Sequence, residues 1–186
     1  QLAEYTQQNY NNTIFGPISI TKGTFKETKN AKPQKVYLVC LAGLDVFNAI
    51  QGGYNDMLAC TLSASDLESL YLLRIEAVMK NNIPEGSKVI FAGHSLGGMV
   101  AQQLIARPRV TDRYEVLLTV TFGSPIIAAD KAKEGKVVRY AQKGDVIPYS
   151  ASSTIEDYLL NCRNVLIFSL SISECCHGKC KNCSKH

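Results

Sequence analysis

Lys88-Val89-Ile90-Phe91-Ala92-Gly93-His94-Ser95-Leu96-Gly97-Gly98-Met99-Val100 reads as a strand that turns abruptly into a helix. Lys88–Ala92 is a short, nearly continuous apolar run, the pattern of a strand covered on both faces. Leu96–Arg107 follows as a helical stretch ended by Pro108. Between them stands Gly93-His94-Ser95-Leu96-Gly97-Gly98. A G-x-S-x-G string alone recurs by chance, but a strand–turn–helix setting gives it a physical meaning. A serine at so sharp a joint takes a strained backbone, and neighbouring side chains would collide there. Gly93 and Gly97 remove those side chains, and Gly98 lets the helix approach the sheet. The helix N-terminus also aims the Leu96 N–H at developing negative charge. Ser95 is therefore the candidate nucleophile.

Outward from this joint the same alternation repeats. Lys35–Ala42 is a strand buried on both sides, and Ser65–Asn82 a helix with a Ser65/Glu68 capping box. Leu67, Leu70, Tyr71, Ile75, Val78 and Met79 form its apolar face, and Pro84 and Gly86 end it. Glu115–Phe122, Lys136–Tyr140 and Asn164–Ser171 are further strands, with a short helix at Ser153–Leu160. Alternating strands and helices predict an α/β fold with a mostly parallel sheet and helices on both faces. Residues 1–34 are polar, with Ile18 and Ile20 as the only short alternation. One domain over residues 1–186 suits the length of 186 residues, with the polar segment at its start and a cysteine-rich tail at 172–186.

Composition narrows the classes. Hydrophobic residues make up 46% and charged residues 19%, enough apolar material for a core and too much for a disordered chain. The formal net charge of +4 is too mild for a nucleic-acid surface, so no nucleic-acid partner is expected. The spaced lysines Lys26, Lys29, Lys32 and Lys35 read as a solvated face, with contact to an anionic surface as the alternative. No apolar run has the length of a bilayer span. The first residues carry no signal peptide, so either one was removed or the sequence begins inside a longer chain.

Activating a serine needs a base, and the base needs an orienting acid. Three histidines exist: His94, His177 and His186. His94 lies in the turn and its position points it away from the Ser95 hydroxyl, which makes it structural. His177 follows the last strand and is the candidate base, ahead of the terminal His186. Asp145, just after Lys136–Tyr140, is the candidate acid, ahead of Asp130; either aspartate also suits a turn that bonds its own backbone. No cofactor is called for.

Three blocks, Gly93–Gly98 (GHSLGG), Thr121–Pro125 (TFGSP) and Gly144–Pro148 (GDVIP), resemble the class 3, or fungal-type, lipases in content and order. The resemblance spans roughly residues 35–177. It implies an α/β-hydrolase fold with a minimal lid and serine-dependent cleavage of lipid acyl esters, with Ser95 as nucleophile, Asp145 as acid and His177 as base. The family's oxyanion residue falls on Leu44 in Leu41-Ala42-Gly43-Leu44-Asp45. Lacking a hydroxyl, Leu44 offers only its backbone N–H, paired with that of Leu96. The cover over the site falls on residues 44–64, with Gly52-Gly53 as a hinge and Phe47, Ile50, Tyr54, Met57 and Leu58 as acyl-groove or core residues. Acyl transfer, thioester cleavage and a catalytically silent binding module are the other functions the fold supports. The expected partner is a lipid or other ester, met in transient contact with a membrane surface, and the expected species is a monomer.

Seven cysteines complete the reading. Cys40 sits in an apolar run as a buried thiol. Cys60, Cys162, Cys175, Cys176, Cys180 and Cys183 suit disulfides that staple the tail and fix the His177 loop, and they weakly favour a secreted protein, as do the Asn11 and Asn182 glycosylation patterns. The alternative is zinc held by Cys176, Cys180, Cys183 and His186.

Overall fold

A computed structural model describes residues 2–8, 17–44, 63, 67–127, 131–143, 145, 147–149 and 166–168. Helix α1 (Leu2–Gln8) precedes strands β1 (Ile18–Phe25) and β2 (Gln34–Leu41). Helix α2 (Leu70–Asn82) leads to β3 (Lys88–His94), and then come α3 (Leu96–Leu104) and the short α4 (Pro108–Thr111). Strands β4 (Glu115–Phe122), β5 (Lys136–Gln142) and β6 (Leu166–Phe168) follow, with a 3₁₀ turn at Ile147–Tyr149.

The six strands form one sheet in chain order. Strands β2 to β6 run parallel, and β1 pairs antiparallel with β2. Parallel neighbours require a crossover between them, and the helices supply it where the connection is described. Val39 and Leu41 of β2, Val89 and Phe91 of β3, and Val116 of β4 share a core with Tyr71, Leu72, Ile75 and Met79 of α2 and with Met99, Val100 and Leu104 of α3. Each fully buried side chain of this size contributes roughly 1.5–3 kcal/mol relative to exposure. The opposite face carries α1, whose Thr6 hydroxyl bonds the thiol of Cys40. Helices therefore cover both faces of a mostly parallel sheet, and the fold is that of an α/β-hydrolase.

Four local readings change. Residues 18–25 form a full strand, registered from Ile18 against Leu41 to Phe25 against Gln34. The cap of α2 is Ser69, whose Oγ accepts the Leu72 N–H at 3.1 Å. Ser65 lies outside the described residues, and Glu68 pairs with Arg107 and Arg109 instead of capping. Leu67 lies ahead of α2 and is exposed, and Leu70 is exposed because the helix turns Tyr71 and Leu72 into the core. The second helix stops at Leu104, and Pro108 opens α4 because its fixed φ and missing N–H suit a first helical position. The Ser153–Leu160 helix lies outside the described residues.

Candidate active site

Ser95 sits between the last residue of β3 and the first of α3. Its φ of 51° and ψ of −118° make it the one described non-glycine residue with positive φ. Such a conformation costs about 1–3 kcal/mol and persists only where the surroundings enforce it. They do so by close backbone approach. A Cβ on Gly93 would collide with the Gly97 carbonyl, and one on Gly97 with the carbonyl oxygens of Leu41 and Ala42. The helix start thus lies against the end of β2. Hydrogen bonds fix the turn from both sides: the Ser95 N–H donates to the Phe122 carbonyl at 2.9 Å, and the Gly98 and Met99 N–H groups donate to the Ser95 carbonyl.

Asp145 lies after β5 at the same edge of the sheet. Its N–H donates to the Gln142 carbonyl at 3.0 Å. Its two carboxylate oxygens do different things. Oδ1 accepts the Ile147 N–H at 3.0 Å, so the aspartate does bond its own turn. Oδ2 is directed back over Gly123, where a Cβ would lie 3.1 Å from it. Gly123 has a φ of +52°, and its N–H donates to the Tyr140 carbonyl at 2.8 Å. Ser95 and Asp145 therefore flank the Phe122–Gly123 peptide. The Phe122 and Tyr140 rings stack at 5.5 Å between centroids.

His94 faces this same point. The imagined Gly123 Cβ lies 3.6 Å from His94 Nε2, so the imidazole and the Asp145 carboxylate share one small space. Burial holds the imidazole below its ordinary value, and the Asp145 charge draws it partly back. His94 is thus a neighbour of Asp145, which its place in the turn does not reveal. The structural reading of His94 gains a specific partner.

Leu96 is fully buried as the first residue of α3, and Leu44 stands two residues beyond Ala42 at the end of β2. His177, His186, Asp130, Cys60, Cys162 and the tail cysteines lie outside the described residues, as do Phe47, Ile50, Gly52, Gly53, Tyr54, Met57 and Leu58. The structure brings together Ser95, Leu96, Asp145 and His94 around the ends of β3, β4 and β5.

Two further residues support the site and escaped the sequence reading. Gln102 of α3 is fully buried; its Nε2 donates to the Gly98 carbonyl at 3.1 Å and the Pro125 carbonyl at 2.8 Å. Its Oε1 accepts from Arg139 Nη2 of β5 at 3.2 Å, tying α3 to the segments after β4 and within β5. Tyr71 of α2 is the second. Its hydroxyl lies 3.1 Å from the Pro17 carbonyl and 3.0 Å from the Ala42 carbonyl. Neither follows from spacing along the chain, since each partner is reached through the fold.

A strained serine at a strand-to-helix joint, on a parallel sheet flanked by helices, defines the α/β-hydrolase class. A profile of the PGAP1-like alpha/beta domain matches residues 61–174, more than half of the chain, and the chain belongs to that family. Among solved structures, Lip2 lipase from Yarrowia lipolytica is similar at 12% identity with a TM-score of 0.35, over 74% of this chain and 62% of that one. No curated protein sequence matches.

Proposed function

We propose that the chain is a serine ester hydrolase acting on lipid acyl esters. The observation that carries this reading is the backbone of Ser95, held at φ 51° between β3 and α3. Strain of that kind lifts a hydroxyl clear of its neighbours at the top of the sheet, where a carbonyl carbon can reach it. The resemblance of the three sequence blocks to fungal-type lipases supports a lipid substrate met at a membrane surface.

In the proposed reaction, Ser95 Oγ attacks the ester carbonyl while His177 accepts its proton. Asp145 orients the imidazole and stabilises the cation that forms. The carbonyl oxygen becomes an oxyanion, held by the N–H groups of Leu96 and Leu44. Collapse expels the alcohol, which takes the proton from His177, and leaves an acyl group on Ser95. Water, deprotonated by the same histidine, then releases the fatty acid. Disulfides among the tail cysteines would hold His177 for this work, so reduction should lower activity and thermal stability together.

The test is labelling by a fluorophosphonate, which reacts only with an activated serine. The wild-type chain should be labelled and Ser95→Ala should not. A panel of short-chain, long-chain, glycerol and phospholipid esters then defines the substrate, and added alcohol or thioester distinguishes acyl transfer and thioester cleavage. A wild-type chain that is neither labelled nor active on any ester sinks the enzyme reading.

A further inference from the structure

Tyr71 occupies an unusual place for a core aromatic residue. Its ring is fully buried in the core, yet its hydroxyl, with one proton to donate, lies within reach of two backbone carbonyls just outside the strands, that of Pro17 before β1 at 3.1 Å and that of Ala42 after β2 at 3.0 Å. The same two residues bond each other, the Ala42 N–H donating to the Pro17 carbonyl at 2.9 Å. Leu41 and Ala42 also present the carbonyl oxygens against which Gly97 packs. Tyr71 therefore meets the end of β2 at the point where β2 meets the nucleophile helix.

Geometry gives this contact a consequence. A trans peptide is planar, so the Ala42 carbonyl and the Gly43 N–H point in opposite directions. Holding the carbonyl on the Tyr71 hydroxyl sets that peptide plane, and the plane sets where the next peptide begins. That next peptide carries the Leu44 N–H. Strand β2 ends at Leu41, and the hydroxyl ties the residue that follows it to the start of α2.

We infer that Tyr71 is a positioning residue: its hydroxyl orients the Ala42–Gly43 peptide and thereby aims the Leu44 N–H at the developing oxyanion. The inference rests on the proposed hydrolase reading and on Leu44 as an oxyanion donor. Because Leu44 has no side-chain hydroxyl, its backbone direction is all it brings to the site. Rigid placement by a buried phenol compensates for that, since donors work by being already aligned when charge develops.

Tyr71→Phe removes the hydroxyl and keeps the ring. With an ester that the wild-type chain turns over, kcat should fall about 10- to 100-fold while KM stays within about twofold. Affinity for a boronic acid, whose tetrahedral adduct places an oxygen in the oxyanion position, should fall in parallel. Affinity for the carboxylate product should not. Leu44→Pro removes the N–H itself, and in that background Tyr71→Phe should cost nothing further, a coupling that a merely structural role does not produce. Wild-type kcat and boronate affinity in Tyr71→Phe would overturn the inference whatever happens to its melting temperature. If that variant does not fold, Leu44→Pro alone serves, and wild-type kcat and boronate affinity without the Leu44 N–H overturn the inference equally. Fluorophosphonate labelling of the wild-type chain separates the two levels: a labelled chain indifferent to Tyr71→Phe refutes only Tyr71, and an unlabelled chain refutes the site and Tyr71 with it.

Discussion

Cys40 stands within β2 and Ser95 just past the end of the adjacent β3. A thiol is intrinsically the better nucleophile, but only as thiolate. Cys40 lies within β2, 1% exposed, and burial pushes its thiol up to about 11 despite hydrogen bonds to Ser19 and Thr6. Ser95 lies just past the end of β3, where the chain must reverse, and its strained turn presents the weaker nucleophile to the sheet edge. The contrast is one of position: the interior of the sheet silences a strong group, and the proposed hydrolase reading assigns the reaction to a weaker one at its edge.

Exchange at Ser95 tests this contrast most severely. Ser95→Ala should lower ester hydrolysis by at least about 1,000-fold, read as initial rates. Ser95→Gly should be equally inactive yet melt higher than Ser95→Ala, because glycine adopts a positive φ without strain. Equal melting temperatures would show that the turn stores no strain.

The edge depends on close approach, so filling its empty spaces should damage it. Gly97→Ala places a methyl group against the Leu41 and Ala42 carbonyl oxygens, backbone atoms that cannot step aside. A loss of about 1–3 kcal/mol in denaturant unfolding is expected, with activity falling more than stability explains. Gly123→Ala combines an unfavourable φ with pressure on Asp145, and should behave the same way.

Acid should loosen the edge before the interior. The His94 value is lowered in the folded state from its ordinary 6.5, chiefly by burial. The unfolded chain then binds the proton first, so the contribution of neutral His94 is complete above 6.5 and is lost as pH falls from there through the lowered folded value. His94→Gln should flatten that part of the stability profile measured by thermal melts. An unchanged acid slope would place the titrating group elsewhere.

The smallest effect belongs to the interior. Cys40→Ala should leave kcat within about twofold, and the native thiol should resist maleimide at neutral pH until the chain unfolds. Rapid modification of Cys40 in the folded chain would contradict its burial.

Much of this was legible because it is local. All five parallel strands overlap short stretches that read as strands in the sequence, and Glu115–Phe122 has the same bounds in both. The glycines around Ser95 could be read because a sharp turn forbids side chains wherever it occurs. Strand β1 was hidden: four of its eight residues are exposed, and its only apolar alternation is Ile18 and Ile20. It is a strand because β2 offers an unpaired edge, and nothing within 18–25 records that. Spacing also places Leu67 and Leu70 on the apolar face, yet Leu67 lies ahead of α2 and both meet solvent.

By itself, then, the sequence determined the alternation of strands and helices, the joint at Gly93–Gly98 and the choice of Ser95 and Asp145 as candidates. These depend on periodicity, chirality and steric room within a few residues. Tertiary structure alone decided which groups meet. The register of β3 on β4 slips between Val89 and Ile90, pairing them with Val116 and Leu118, so facing residues change sides partway along the strand. That register brings His94 alongside Phe122, next to Gly123 and the Asp145 carboxylate, and the packing of α2 on β2 carries the Tyr71 hydroxyl to Ala42, 29 residues away in sequence. Contacts of this kind depend on how separate elements are docked, and no local pattern encodes that distance.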